Sequence, residues 1–384
     1  MRIEFATANR VLFSAGALAE IGELAKGFGG QALVVTGSDP DRAVSLLSIL
    51  HKAGLTSKVF SLSGEPTVAL AKEGTRIANE AACDMVIGFG GGSALDAGKA
   101  IAALATNGED PLEYLEVIGR GKPLTNPPLP FIAIPTTAGT GSEVTRNAVL
   151  TSKEHHVKVS LRGREMLPRI ALVDPELTFS MPPQLTASTG LDALTQLIEP
   201  FLSAKRSPLT DGFCREGMRL ASRSLRQAYK DSEDTEARIN MSLASLMGGF
   251  SLANAGLGAV HGFAGPIGGM LDAPHGAICA ALLPYVMEIN LRTIRARGFN
   301  PDMSARFDEI GCILTGNLDA AAEDGVSWLA DLCGALKIPA LSSYGLTQSA
   351  FPELIEKASA SSSMKGNPVR LTNEEMTEIL NNAL

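Results

Sequence analysis

The first half of this 384-residue chain alternates short apolar runs with stretches of helical period, and the alternation stops near residue 180. No other feature restricts the fold as much. QALVVTG (31–37) reads as a strand that ends at a glycine. DRAVSLLSILHKAG (41–54) follows with helical spacing and a glycine stop. SKVFSL (57–62) is a second strand, and TVALAKEGTRIANEAA a second helix. MVIGFG (85–90) is a continuous apolar run of the kind buried on both faces, and PFIAIPTT (130–137) is a fourth strand. RNAVLTS, HVKVSL and PRIALVD read as further short strands before residue 175. Such alternation predicts a Rossmann-like parallel sheet covered on both sides, whose ligands sit at the carboxyl ends of its strands.

After MPPQLTAST the strands cease. Helical patterns run over 183–203, 209–230, 234–254, 276–297 and 322–335, with SAKRSP, KDSED and RGFNPD as turns. The fold class is therefore α/β followed by all-α. Residues 1–180 form a dinucleotide-binding domain, and 181–384 a helical domain for metal and substrate. SASSSMKGNP (359–368) is a loop before a last helix, which Thr372 caps with Glu375 at the box position.

Composition narrows the function. A net charge of −8 and 5% aromatic residues argue against nucleic acid as a partner. Arg219, Arg223 and Arg226 fall at helical spacing and read as a solvated helix face. The five cysteines are scattered without a CxxC pair, which fits a reducing cytoplasm. The start, MRIEFATANRVLF, lacks the layout of a signal peptide, and no long uncharged apolar run suggests a membrane span.

Two segments carry ligand chemistry. GFGGGSALDAGKA (88–100) reads as strand end, glycine run and helix start. Its glycines let backbone approach a ligand, and Ser93 can cap the helix or donate to a phosphate held at the helix N-terminus. A plain glycine turn packing helix on sheet is the competing reading. IPTTAGTGSEVTRNAV (134–149) adds Thr136, Thr137, Thr140, Ser142 and Thr145 among glycines, a density of hydroxyls that suits a polar ligand. Later, GLDALTQLIE offers Asp192 and Gln196 on one helix face, and GLGAVHGFAGPIGGMLDAPHG offers two of the chain's five histidines, His261 and His275. Thirteen residues separate these histidines, so they come from separate elements. His155 and His156 read as a surface turn, and Cys279 as buried packing.

Taken together, GGGS with a downstream Asp and Lys, PTTAGTGSE, GLDAL and PHG resemble the iron-containing alcohol dehydrogenase family of the dehydroquinate synthase-like fold, over nearly the whole chain. The resemblance implies an NAD(P)-dependent oxidoreductase that interconverts a small alcohol and an aldehyde or ketone. It implies that Gly91, Gly92 and Ser93 bind the cofactor pyrophosphate. Thr136, Thr137 and Thr140 would border its adenine and nicotinamide ends, and Asn147 and Lys158 would face the nicotinamide ribose. It also implies a site of one Asp and three His for Fe²⁺ or Zn²⁺, filled here by Asp192, His261 and His275, with Gln196 where most members carry His. Gly265 stands where many members have a further His that serves proton relay.

Three states of that site are open. The metal is held by Asp192, His261 and His275 alone; or Gln196 adds a loose contact through its neutral carbonyl; or the site works without metal, as in the maleylacetate reductase branch. The same residues also leave room for a non-redox lyase of the dehydroquinate synthase kind and for a non-catalytic nucleotide-binding protein. Asp39 lies where it can bond a ribose 2′-hydroxyl, which favours NAD. Gly37 replaces an Asp that repels a 2′-phosphate in some members, which leaves NADP open. Phe263, Met270 and Leu185 are expected to line the substrate pocket. IEFATANRVLF either pairs two subunits into a homodimer or edges its own sheet.

Overall fold

The computed structural model describes residues 3–108, 110–155, 157–271, 273–298 and 301–384. In chain order the elements of the first part are β1 (Arg10–Phe13), α1 (Ile21–Lys26), β2 (Gln31–Thr36), α2 (Val44–Lys52), β3 (Thr56–Ser61), α3 (Val68–Glu80), β4 (Met85–Gly90), α4 (Gly92–Asn107), β5 (Phe131–Pro135), β6 (Asn147–Ser152), β7 (Val157–Arg162) and β8 (Ile170–Val173). The second part is helical: α5 (Pro183–Leu202), α6 (Pro208–Lys230), α7 (Thr235–Ala255), α8 (Ala259–Met270), α9 (His275–Ala296), α10 (Pro301–Thr315), α11 (Ala322–Ala335), α12 (Phe351–Ala360) and α13 (Asn373–Asn382).

Six strands form one parallel sheet in the order β1-β8-β5-β4-β2-β3. Alternate residues feed opposite faces, as the strand period requires. Val34, Ile87 and Ile132 pack with Leu46 and Leu50 of α2 on one face. Leu33, Val86 and Ala133 pack with Leu95 and Ile101 of α4 on the other. Burial on both faces explains why β4 and β5 are apolar throughout. β6 and β7 depart from the expected parallel arrangement and pair antiparallel as a separate hairpin. β1 lies at the edge of its own sheet beside β8.

The order places β3 on one side of β2 and β4 on the other, so the order in which strands are added reverses between β2 and β4, while every strand stays parallel. A crevice at such a switch point, outside the carboxyl ends of the strands, is where doubly wound sheets bind ligands. The glycine turn after β4 and Gly37 after β2 therefore share one edge.

By contacts the chain divides into two compact units. One comprises Ala6–Thr137 and Gly141–Phe179; the other comprises Ser180–Leu384 with Ala138–Thr140 and the start of the chain up to Phe5. In the helical unit Phe5 stacks on Phe213 at 5.8 Å between ring centres. α5 is apolar nearly all round and buried, and α6 lays its exposed Arg219 and Arg223 outward. α8, α10 and α12 lie in stretches where periodicity predicts no helix. Glycine and proline interrupt the pattern in α8. α9 is long and apolar enough to cross a membrane, but 83% of that window is buried inside the unit, as in a core helix. Thr372 and Glu375 form the expected capping box of α13.

One cluster inside the first unit ties the glycine turn to the loop after β5. The Lys99 ammonium, fully buried on α4, donates to Ser142 O (3.0 Å) and Thr145 Oγ1 (2.9 Å). Asp96 accepts from Ser142 Oγ (2.5 Å) and Val149 N (3.0 Å) and pairs with Lys99 at 3.1 Å. Glu143 is buried beside them, and burial pushes its carboxyl up to about 7 although Lys99 opposes the shift. A folded-state value above the ordinary 4.5 means that the folded protein keeps a proton which the unfolded chain releases. Stability tied to this group is complete below the unfolded value and is lost as pH rises through about 7. Glu143→Gln removes that loss. Thermal unfolding followed from about pH 5 to about pH 8 should show the variant gaining on the wild type as pH rises, and a constant difference would refute the assignment.

Candidate metal and cofactor site

Four side chains of the helical unit converge: Asp192 on α5, His261 on α8, and His275 and Cys279 on α9. Their ligand atoms all lie within 4.8 Å of one another. His261 Nε2 stands 3.4 Å from Asp192 Oδ1, and His275 Nε2 3.8 Å from the same oxygen. The two imidazole rings are 5.4 Å apart. Asp192 is 1% exposed and Cys279 not at all, whereas the His275 side chain retains 32% exposure, so the cluster is reached from the His275 side.

Local structure sets each of these positions. α7 and α8 meet at a bend of 97°. Gly256, with φ of +71°, makes the turn between them, and a Cβ at Gly258 would stand 2.9 Å from Glu199 Oε1. The turn delivers the first N–H groups of α8 to side-chain acceptors: Val260 N donates to Glu199 Oε1 (2.7 Å), and Ala259 N to Asn367 Oδ1 (3.1 Å). The other Glu199 oxygen lies 2.6 Å from His261 Nδ1. A hydrogen bond there fixes a proton on Nδ1, so Nε2, on the Asp192 side, is the ring nitrogen that a metal would displace a proton from or bind directly, the arrangement common to metal-binding histidines. On α9, Gly276 allows the helix start to approach α5, since a Cβ would lie 2.6 Å from Ser188 O. The glycine of PHG is thus a packing requirement for His275.

Electrostatics matches the geometry. Burial raises the Asp192 carboxyl, but His275 and then His261 outweigh it and hold it below its ordinary value. Burial would lower His261, yet the Cys279 sulfur and the Glu199 and Asp192 carboxylates raise it well above the ordinary imidazole value. Burial opposes the shift of His275 too, and the same sulfur and Asp192 raise it. Anionic surroundings this strong favour a cation.

The residues fit a divalent metal on a further observation. Asp192 Oδ1 and Gln196 Oε1 are both buried and meet no hydrogen-bond partner among the described residues. A buried acceptor without a partner costs about 1–3 kcal/mol, more for a charged one, and a cation bound at Asp192 would offset that larger cost. Gln196 is 3% exposed and lies one turn from Asp192; a Cβ at Gly248 of α7 would stand 3.7 Å from its Oε1. Cys279, expected only to pack, belongs to the cluster. Glu199 carries no motif in the sequence, although its spacing of seven from Asp192 puts it on the same helical face.

In the sheet unit the glycine turn has the form that an anion requires. Gly90 has φ of +158°, and a Cβ there would meet the Ala94 Cβ at 2.7 Å. α4 begins at Gly92 with Gly91 as N-cap and no side-chain cap. Ser93 therefore does not cap the helix, and no side-chain cap takes up the first N–H groups of this sixteen-residue helix. Gly91 lies against Thr137, and Thr136 N donates to Gly90 O (2.9 Å). Thr140 falls with the helical unit.

Asn147 and Lys158 occupy the less buried face of the β6–β7 hairpin, where Thr151 pairs with Lys158 and Asn147 with Arg162. They stand at opposite ends of that face, and Lys158 Nζ pairs with Glu65 Oε1 at 3.2 Å. Asp39 accepts from Asp41 N (3.1 Å) at the start of a short 3₁₀ turn and is exposed. His155 is exposed in the hairpin turn, 2.9 Å from Ser152 Oγ, and His156 lies outside the described residues. Phe263 is fully buried in the helical core and so cannot line a pocket, contrary to expectation. Met270 is half-buried and Leu185 exposed. Among the described residues, nothing lies within 4 Å of where a Cβ at Gly265 would stand.

Comparison with known proteins agrees with this geometry. The family model for iron-containing alcohol dehydrogenase matches residues 8–175, and that for the Fe-containing alcohol dehydrogenase family, C-terminal, matches 186–384. The chain is 35% identical to a 1,3-propanediol dehydrogenase of Citrobacter freundii, over 99% of this chain and 98% of that protein. A crystal structure of a 1,3-propanediol oxidoreductase matches with a TM-score of 0.91 and 34% identity, covering 100% of both chains. A sulfoacetaldehyde reductase from Bifidobacterium kashiwanohense, solved with NAD+, matches with a TM-score of 0.88 and 28% identity, over 100% of this chain and 99% of that one.

Glu199→Gln tests the orienting role of the carboxylate. Loss of the charge-assisted bond to His261 should weaken metal binding by roughly tenfold to a hundredfold, read by chelator competition. Unchanged affinity would show that Glu199 only caps α8.

Proposed function

The chain belongs to the iron-containing alcohol dehydrogenase family, and on that footing we propose that it oxidises a small alcohol, or reduces the corresponding aldehyde or ketone, with NAD at the glycine turn and a divalent metal at Asp192, His261 and His275. The observation that carries this reading is the Asp192 carboxylate, buried with one oxygen that no hydrogen bond among the described residues satisfies and facing two imidazoles.

Each residue has a part. Asp192, His261 and His275 hold the metal, Glu199 keeps the His261 lone pair at Nε2, and Gln196 lies one turn along the same face of α5. Gly91, Gly92 and Ser93 offer backbone and hydroxyl donors to the pyrophosphate. Thr136, Thr137 and Thr140 border the cofactor, and Asn147 and Lys158 hold its nicotinamide ribose. When bound, the metal supplies Lewis acidity that polarises the substrate C–O bond, and the nicotinamide supplies the hydride acceptor or donor. The half-exposed flank of His275 is the side on which a substrate enters the helical unit's site. With glycine at 265 no side chain there carries a proton, so the alcohol proton leaves by water. Iron is the metal that the family description favours, and zinc accepts the same Asp and His donors. Five free cysteines fit a reducing cytoplasm, and the family's habit of pairing favours a homodimer; the net charge of −8 weighs against nucleic acid as a partner.

Protein purified without chelator, with and without added Fe²⁺, should hold about one metal per chain and oxidise short alcohols with NAD in proportion to it. Asp192→Ala should lose both metal and turnover. Full turnover without metal would move the chain to metal-free reduction of keto acids. Cofactor choice has its own test. Asp39 places a carboxylate beside the end of β2, where it would repel a 2′-phosphate. Asp39→Ser should raise kcat/KM with NADP relative to NAD by about tenfold or more, the effect of about 1.4 kcal/mol. No change in the ratio would remove Asp39 from cofactor selection.

A further inference from the structure

Gln196 leaves the metal site one strong ligand short of an Asp and three His. Cys279 lies one helical turn beyond His275, so both side chains project from the same face of α9. Its Sγ is 3.6 Å from His275 Nε2 and 3.9 Å from His261 Nε2. A tetrahedral ion with bonds of about 2.05 Å to nitrogen and oxygen and about 2.3 Å to sulfur separates nitrogen from sulfur by about 3.6 Å, and nitrogen from oxygen by about 3.4 Å. The four edges from the imidazole nitrogens, 3.4 and 3.8 Å to Asp192 Oδ1 and 3.6 and 3.9 Å to Cys279 Sγ, lie within about half an ångström of those separations. Cys279 is fully buried, so its sulfur faces the other three ligands and not solvent.

We propose that the Cys279 thiolate is the fourth protein ligand of this metal, giving an Asp, two His and Cys site in which Gln196 is a bystander. On binding, the Sγ–H bond breaks, its proton passes to solvent, and the sulfur lone pair forms the bond to the metal; no electron is transferred. The two anionic ligands, Asp192 and Cys279, then balance a divalent charge in a buried site. A neutral amide oxygen at Gln196 supplies no such charge and is a weaker ligand for a transition metal. Substitution of one strong ligand by another on a different helix explains how the chain keeps a complete site without the family's third imidazole.

The inference rests on the metal-dependent reading above, and one experiment separates the two. The metal-free protein is titrated with Co²⁺ and followed by absorption and elemental analysis. One cobalt per chain with a thiolate-to-cobalt charge-transfer band in the near ultraviolet is the expected result. Cys279→Ser, which keeps size and burial, should abolish the band and weaken Co²⁺ binding by about tenfold or more, whereas Gln196→Ala should keep the band. The band in the wild type is itself a readout that needs no variant to fold, and the serine variant assigns it among five cysteines. Full occupancy with no charge-transfer band, or a band that survives Cys279→Ser, overturns the cysteine ligand alone. Failure to bind cobalt at all overturns the metal-dependent reading together with it.

Discussion

A carboxylate buried on the central helix, with one oxygen that no hydrogen bond satisfies, is the constraint on which the helical unit turns. An isolated buried charge is expensive, and a group in that position either neutralises or finds a cation. Asp192 stays charged because two imidazoles face it. Those imidazoles in turn need elements that can reach it. The sharp bend between α7 and α8 brings one, and the glycine that lets α9 touch the α5 backbone brings the other. Glu199 closes the arrangement by capping α8 and orienting His261 with the same carboxylate, so helix start and ligand geometry are set by one side chain.

The sheet unit solves a different problem, how to leave backbone donors free. A helix start normally consumes its orphan N–H groups with a Ser, Thr, Asp or Asn cap. Here the cap is Gly91, which offers none. The side chains that do make bonds, Asp96 and Lys99, turn away from the helix start and hold the loop from Ser142 to Val149. Lysine on this glycine-rich helix is therefore a clasp and not a phosphate ligand. It is buried beside Glu143, whose carboxyl burial pushes up to about 7 against the pull of Lys99.

The strands are legible in the sequence because a sheet covered on both faces demands continuous apolar runs, and β2, β4 and β5 fall within a residue or two of the runs that mark them. Long helices from α5 to α7 are legible for the same reason at a different period. α8 is not, because glycine and proline recur through its twelve residues, a composition that local rules read as loop. Its helix exists because the partners at its start, Glu199 and Asn367, lie far away in sequence. Residue type and motif suffice to name Asp192, His261 and His275. They do not separate Cys279 from ordinary packing, since a buried cysteine is common and only the fold shows that its sulfur faces two imidazoles. Glu199 carries a faint mark in the i, i+4, i+7 series with Asp192 and Gln196. Phe263 departs from its expected place because an aromatic residue two positions from a ligand on a helix points to another face.

The two departures from the family's pattern, Gln196 and Gly265, invite the thought that the site has lapsed and the chain only binds a nucleotide. Physical cost weighs against it. A site released from function loses first what is expensive to keep, and here the expensive parts remain: a buried carboxylate with an unsatisfied oxygen, an imidazole enclosed beside it, and a second carboxylate buried to orient that imidazole. Replacing such groups with packed apolar residues is often neutral or stabilising. Gln196 fits the same logic, since a neutral amide costs less to bury than a second carboxylate, and the ligand proposed at Cys279 needs nothing from it. Gly265 leaves open space where a larger side chain would fit, so its loss changes the route of a proton and not the integrity of the metal cluster.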